Sequence, residues 1–280
     1  MLTLAKVTTG AAAASYYESA DDYYAEDGQA PSAWWGTGTT ALGLSGPVDA
    51  AAFKALLDGE LPDGTTMHNG GEGPRRAGTD LTFSAPKSVS MQALIAGDQR
   101  LLAAHDTAVA RVLAHIEEHL AACRVTVAGD TYTELTGSLA VVGFRHDLSR
   151  DADPQLHTHA VLLNLTQRSD GRWRALDATA LYAQQLLLGA LYRAELAREV
   201  QALGYAVRLS HPDGRFELAS PLRRPRGGLQ QPQPGNCRGA GATGQGPQQR
   251  HGGRARDCHA REPQGKRGVG PGDAASSLAR

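Results

Sequence analysis

A His-x-His pair inside an apolar run, His157-Thr158-His159, restricts what this chain can become more than any other feature. Side chains on a strand alternate between faces, so both imidazoles project the same way, about 7 Å apart along the backbone. The run Leu156 to Leu165 is apolar and carries no helix-capping signal, which favours a strand. Gly137 to His146 reads as a neighbouring strand, joined to the first by the polar loop Asp147 to Pro154. If the two pair, His146 joins His157 and His159 in one patch, a site for a metal ion with positions left open for substrate. A hydrogen-bonded core histidine and a chance exposed pair are the plainer accounts of such residues.

Four of the eight tyrosines, Tyr16, Tyr17, Tyr23 and Tyr24, fall within nine residues beside Glu18, Asp21 and Asp22. Tyrosines seven apart share a helical face, so an amphipathic helix covering a core explains them structurally. They also carry chemistry. A phenol of pKa about 10 is a poor nucleophile at neutral pH, but a nearby cation or base favours phenolate. Attack on a DNA phosphate then yields a covalent phosphotyrosine, and two such tyrosines permit two successive transfers.

Between these constellations lies Gly78 to Ser90. Asp80 to Phe83 reads as a short strand, and Pro86 stops it. Lys87 with the hydroxyls of Ser88 and Ser90 forms a candidate phosphate site. Asp80 either orients a ligating histidine or accepts the tyrosine proton.

Ser15-Tyr16-Tyr17 with Asp21-Asp22-Tyr23-Tyr24, the block Asp80 to Ser88, and Phe144-Arg145-His146 with Asp153-Pro154-Gln155-Leu156-His157-Thr158-His159 together resemble the relaxase domain of TrwC/TraI-type (MobF) conjugative relaxases, of the HUH superfamily. The resemblance runs from Met1 to about Leu218 and takes in Arg168 to Gly171 and Trp173 to Leu176. It implies an enzyme that nicks one strand of a transfer origin, stays joined to the 5′ phosphate through tyrosine, and later rejoins the strand. By position it assigns Tyr16 as the first catalytic tyrosine and Tyr23 as the second, with Tyr17 and Tyr24 as their less essential neighbours. His146, His157 and His159 match the metal ligands and Asp80 the acidic residue beside them. The implied ion is divalent, Mg²⁺ or Mn²⁺, with Zn²⁺ also compatible.

Helical periodicity appears twice. From Asp98, a candidate N-cap, to about Cys123, apolar residues recur at Leu101, Leu102, Val109, Val112, Leu113, Ile116 and Leu120. His105 and His115 in this helix read as solvent or boundary residues. A second helix is predicted from about Ala178 to Leu203, with Asp177 as N-cap and Gly204 as terminator. Hairpins are expected at Arg168 to Gly171 and, within Tyr205 to Leu218, at His211 to Gly214. These elements predict an α+β fold, an antiparallel sheet with helices on one side; the resemblance implies a palm-like sheet carrying the three histidines.

Length allows one large domain or two small ones at about 150 residues each. Residues 1–219 hold 17 Lys and Arg against 26 Asp and Glu, a net of −9; residues 220–280 hold 11 against 3, a net of +8, giving the chain's −1. An acidic body binds phosphate only where basic groups gather locally. Arg75, Arg76, Lys87, Arg145, Arg168, Arg172 and Arg174 are the candidates for DNA contact, and Trp34, Trp35 and Trp173 for base stacking. Core packing accounts equally well for Trp34. Cys123, Cys237 and Cys258 make neither a disulfide scaffold nor a metal knuckle. With no secretory signal and no apolar stretch able to span a bilayer, a cytoplasmic protein without membrane insertion is expected; full-length homologues are exported with DNA, by the same resemblance.

After Ser220 periodicity gives way to Arg, Gly, Gln and Pro. A disordered basic tail is one account. A frameshift is the preferred one: the codons of Arg256 to Ala260, read one base on, permit Glu-Thr-Ala-Thr-Leu, so Cys237, His251, Cys258 and His259 are not read as a zinc site. Alternative frames holding only stops or equally aperiodic text would sink this account. The expectation is therefore a relaxase domain over 1–219 lacking its C-terminal helices. Its partners would be transfer-origin DNA, single-stranded at the nick, relaxosome accessory proteins and the coupling protein of a type IV secretion system. A DNA-binding fragment without turnover, a rolling-circle replication initiator and a metal-dependent hydrolase are the alternatives.

Overall fold

The computed structural model describes residues 1–7, 32–67, 76–149 and 151–219. Tyr16, Tyr17, Tyr23, Tyr24, Arg75 and the 220–280 tail lie outside the described residues.

In chain order the elements are β1 (Leu2–Val7), β2 (Ser32–Trp35), α1 (Thr37–Ala41), α2 (Ala50–Asp58), β3 (Gly78–Ser84), α3 (Lys87–Leu94) and α4 (Arg100–Leu120). There follow β4 (Ala122–Val127), β5 (Asp130–Leu135), β6 (Val141–Leu148), β7 (Pro154–Leu163), β8 (Thr166–Gln167) and β9 (Trp173–Arg174). The last are α5 (Thr179–Ala183), α6 (Gln185–Ala202), β10 (Val207–Leu209) and β11 (Phe216–Leu218). Five strands form one antiparallel sheet in the order β1-β3-β7-β6-β2, so β7, the longest, is central. Its alternation divides the core in two. Leu156, Ala160 and Leu162 pack with Val112, Ile116, Leu188 and Leu196 on the face covered by α4 and α6. Val161 and Leu163 pack with Phe53, Leu56 and Leu57 of α2 on the other. The α+β class and antiparallel sheet are as expected; α2 adds a helix to the face that was expected to lack one.

The stripe from Leu101 to Leu120 is buried as its spacing predicts except at Leu102, which is half-buried, and the helix stops at Leu120. Ala122 to Val127 instead pairs with Asp130 to Leu135, through a two-residue loop with Ala128 and Gly129 at φ 52° and 96°. Positive φ at both central residues matches the twist of a hairpin. The second predicted helix is two, broken at Gln184. The cap is Ala178 rather than Asp177; Asp177, one residue earlier, accepts with Oδ1 from the N–H and hydroxyl of Thr179 at 3.0 and 2.6 Å, and Gly204 ends the helical run at φ 89°. Both C-terminal hairpins form where the turn residues place them.

Asp98 is not the cap, since α4 starts at Arg100 with Gln99 before it, but it anchors the entry to that helix. Its buried carboxylate accepts from the Arg100 N–H, Nε and Nη2 at 3.2, 2.8 and 2.6 Å and from Tyr205 Oη at 2.7 Å. The Arg100 hydrogen bonds, outweighing desolvation and aided by Tyr205, lower its pKa from 3.8 to about 2. A depressed folded-state pKa means the ionised group stabilises the fold fully above the ordinary value and loses that effect as pH falls. Urea titrations should show stability declining between about pH 4 and pH 2. Asp98→Asn should flatten that portion of the profile; an unchanged slope would remove Asp98 from the acid transition.

His105, expected at the solvent boundary, is wholly buried. Its two ring nitrogens meet Tyr192 Oη and Thr158 Oγ1, which makes burial of the polar ring tolerable.

Candidate metal centre

Pairing of β6 with β7 sets His146 opposite His157, and pairing of β3 with β7 sets Thr82 opposite His159. All three histidines therefore share the face that also carries Phe144 and Val161. Their ring centroids lie 5.2 Å apart for His146–His157 and His157–His159, and 5.3 Å for His146–His159. The rings share a patch, yet their donor atoms are not drawn to one point. Among the described residues no three His, Cys, Asp or Glu form a ready-made metal-holding group.

The ring environments nonetheless suit a cation. His157 Nδ1 donates to the Gln155 carbonyl at 2.8 Å, and His159 Nδ1 donates to Asp80 Oδ2 at 2.7 Å. With Nδ1 carrying the proton, the neutral ring keeps its lone pair on Nε2, the form a metal requires. Burial, then the neighbouring His157 and His159, lower the His146 pKa to about 4. Burial likewise lowers that of His157, against the Gln155 hydrogen bond. Both are neutral at physiological pH. Asp80 is buried beside His159, where the alternation of β3 places it with Thr82 on the histidine face.

The other predicted residues are distributed differently. The Lys87, Ser88 and Ser90 phosphate site does not form, because its hydroxyls are already bonded. Ser88 Oγ donates to the Glu217 carboxylate and accepts the Leu218 N–H. Ser90 Oγ donates to the Pro86 carbonyl at 3.2 Å and accepts the Leu156 N–H at 3.0 Å. Lys87 Nζ donates to the Pro154 carbonyl at 2.9 Å, bracing the start of β7. Arg145 points to the helix face, away from the histidines, and meets Asp106 at 2.6 Å. Arg168 is tied to Glu134 and Asp170 at 2.8 and 2.7 Å, with only 16 % of its side chain exposed. Two arginine assignments to DNA thus become internal ion pairs.

Arg76, Arg172 and Arg174 do come together. With Arg124 and Trp173 they line a half-open cavity of about 850 Å³ that also includes Asp63 and Asp177. The cavity adjoins the Gly78–Leu163 end of the β3–β7 ladder, four residue pairs from His159, roughly 13 Å along the strands. Trp34 packs partly on the α2-side core and Trp35 on the helix-side core, so both serve packing. Arg124 was not among the sequence candidates because it follows the predicted helix, in a strand that the sequence reading did not assign.

Comparison with known proteins agrees with this architecture. The chain is 42% identical over 229 residues to multifunctional conjugation protein TraI of Escherichia coli K12, covering 78% of this chain and 13% of that protein. It therefore spans about an eighth of that relative. A copper-bound structure of conjugative relaxase TrwC in complex with oriT DNA aligns with a TM-score of 0.72 at 51% identity, over 78% of this chain and 76% of that one. TrwC complexed with a 27-mer DNA comprising the recognition hairpin and the cleavage site aligns with a TM-score of 0.71 at 46% identity, over 78% and 75%. The TrwC relaxase model matches residues 10–222, well over half of the sequence, and the chain belongs to the TrwC relaxase family.

Proposed function

We propose that this domain cleaves one strand of DNA at a conjugative transfer origin by metal-assisted transesterification to tyrosine, and later rejoins the strand. The observation that carries the reading is the clustering of His146, His157 and His159 within 5.3 Å of one another, beside Asp80, on one sheet face. These three rings would hold a divalent ion, Mg²⁺ or Mn²⁺ in preference to Zn²⁺. Such an ion supplies positive charge that polarises the scissile phosphate and offsets charge growing on its oxygens. Asp80 holds the His159 tautomer through the 2.7 Å bond, which favours the orienting role for it over acceptance of the tyrosine proton.

Tyr16 is the proposed nucleophile of the first cleavage and Tyr23 of the later transfer, with Tyr17 and Tyr24 as neighbours. The phenolic oxygen of Tyr16 bonds to phosphorus as the bond to the 3′ oxygen breaks, and that oxygen leaves with a proton as a free hydroxyl. Phosphodiester energy stays in the tyrosyl link, so the step reverses. Arg76, Arg124, Arg172 and Arg174 would hold phosphates of the bound strand, with Trp173 available to stack a base.

The decisive experiment incubates the chain with a labelled single-stranded oligonucleotide from its element's own transfer origin, with Mg²⁺, Mn²⁺ or EDTA. A metal-dependent, denaturation-resistant protein–DNA band is expected, and Tyr16→Phe should abolish it. Binding without an adduct would make this chain a DNA-binding fragment. Cleavage without an adduct would give the histidines to a hydrolase and end the tyrosine argument.

A further inference from the structure

Two consecutive residues of α4 hold the reverse side of the histidine patch. Pairing of β6 with β7 sets Arg145 opposite Thr158, next to the pair His146 and His157. Each histidine-bearing strand thus sends the adjoining side chain to the helix face. There Thr158 Oγ1 lies 2.8 Å from His105 Nε2, and Arg145 Nη1 donates to Asp106 Oδ2 at 2.6 Å. The other nitrogen of His105 continues the file, 2.8 Å from Tyr192 Oη of α6.

Tyr192 and His105 are 0 % exposed and Thr158 7 %, so water does not compete for these bonds. A neutral imidazole has one donor and one acceptor nitrogen, and both are engaged. Burial, with the Arg145 charge adding to it, keeps the ring neutral by lowering its pKa to about 3. Anchoring the Thr158 hydroxyl, one bond from Cβ, fixes the rotation of β7 about its own axis at the one residue flanked by both His157 and His159. Arg145, immediately before His146, gives β6 a second tie to α4 through Asp106, at a more open position where Asp106 is half exposed.

We infer that His105, with Asp106 beside it, is a positioning residue for the metal centre: it sets the roll of β7, and Asp106 that of β6, so that three imidazoles on the far face share one patch. The inference rests on the reading of those imidazoles as metal ligands.

The test uses the full chain, first without metal and then with Mn²⁺ alone. One variant replaces the whole bonded file by apolar residues, His105→Phe with Thr158→Val and Tyr192→Phe, leaving none of the three polar groups stranded. Thr158→Ser retains the hydroxyl. In the metal-free parent, ring-nitrogen NMR should show His157 and His159 as fixed Nδ1–H tautomers, as their bonds to Gln155 and Asp80 require. In the apolar variant, still folded by thermal melting, those signals should broaden or report mixed tautomers. Mn²⁺ should then bind about ten-fold more weakly. Thr158→Ser should keep both parent values. Parent-like ring signals and Mn²⁺ affinity in the folded apolar variant would overturn the inference. If that variant does not fold, Thr158→Val alone takes its place: disturbed tautomers with weaker Mn²⁺ binding support the inference, and parent-like values overturn it. Disturbed tautomers in a chain whose parent binds no Mn²⁺ would support the positioning tie and overturn the metal reading.

Discussion

His159→Ala is expected to abolish tight Mn²⁺ binding and to slow cleavage by about three orders of magnitude, the loss of roughly 4 kcal/mol of charge stabilisation at the phosphate. The magnitude follows from what the residue does. His159 is one of three rings in the patch, and it is the one whose tautomer a buried carboxylate sets, at 2.7 Å. Removing it takes away a proposed ligand and leaves Asp80 without the imidazole it faces, beside two rings whose pKa burial lowers. Asp80→Asn should be milder, costing about 10- to 100-fold in metal affinity, because the amide still accepts from Nδ1 without the charge. Titration calorimetry with Mn²⁺ and a gel assay of the oligonucleotide read the two losses separately. Undiminished metal affinity in His159→Ala would exclude this ring from the centre.

Gly36→Ala should produce the largest loss of stability, about 3 kcal/mol or more, seen as a lowered urea midpoint. Gly36 links β2 to α1 at φ +101°, and a Cβ there would lie 2.3 Å from the Leu139 carbonyl oxygen. Neither partner can yield easily. Leu139 O also accepts the Gly38 N–H at 2.8 Å, and Glu117 of α4 accepts from both Thr37 N and Leu139 N, at 2.8 and 3.0 Å. The obstruction is backbone, at the entry to β6. Gly43→Ala is the control: φ is +72° but nothing lies within 4 Å of the added carbon, so only the cost of left-handed backbone, about 1–2 kcal/mol, applies. Equal losses at the two positions would show that the Leu139 contact contributes nothing.

Where sequence and structure agree, a short-range rule was enough. Alternation placed His157 and His159 together, Gly204 ended a helix, and the turn residues around Gly171 and Gly214 marked two hairpins. Alternation also carried information about the arginines: Arg145 precedes His146 on a strand and so must face away from it. What no local rule supplies is a partner distant in sequence. Arg168 looked available until Glu134 came to lie 2.8 Å from it. His105 falls four residues from both Leu101 and Val109, squarely on the buried stripe, so its burial was legible although its partners were not. The β4–β5 ribbon escaped because its turn is Ala128-Gly129, without the Asn or Asp that usually announces positive φ. Cys123, Val125 and Val127 do alternate with Arg124 and Thr126, but Asp130 to Leu135 is largely exposed and offers no matching apolar face.

The central strand has a consequence for how this domain can change its length. β7 alternates between two unrelated duties, with odd positions carrying imidazoles and the α2-side core, and even positions carrying Thr158 and the core under α4 and α6. Inserting or deleting one residue between Pro154 and Leu163 would exchange the duties wholesale, sending imidazoles into hydrocarbon and aliphatic side chains into the histidine patch. No compensating point substitution repairs that. The connection that follows Leu148 carries neither duty, so variation in length can accumulate there while the strand itself remains a fixed ruler.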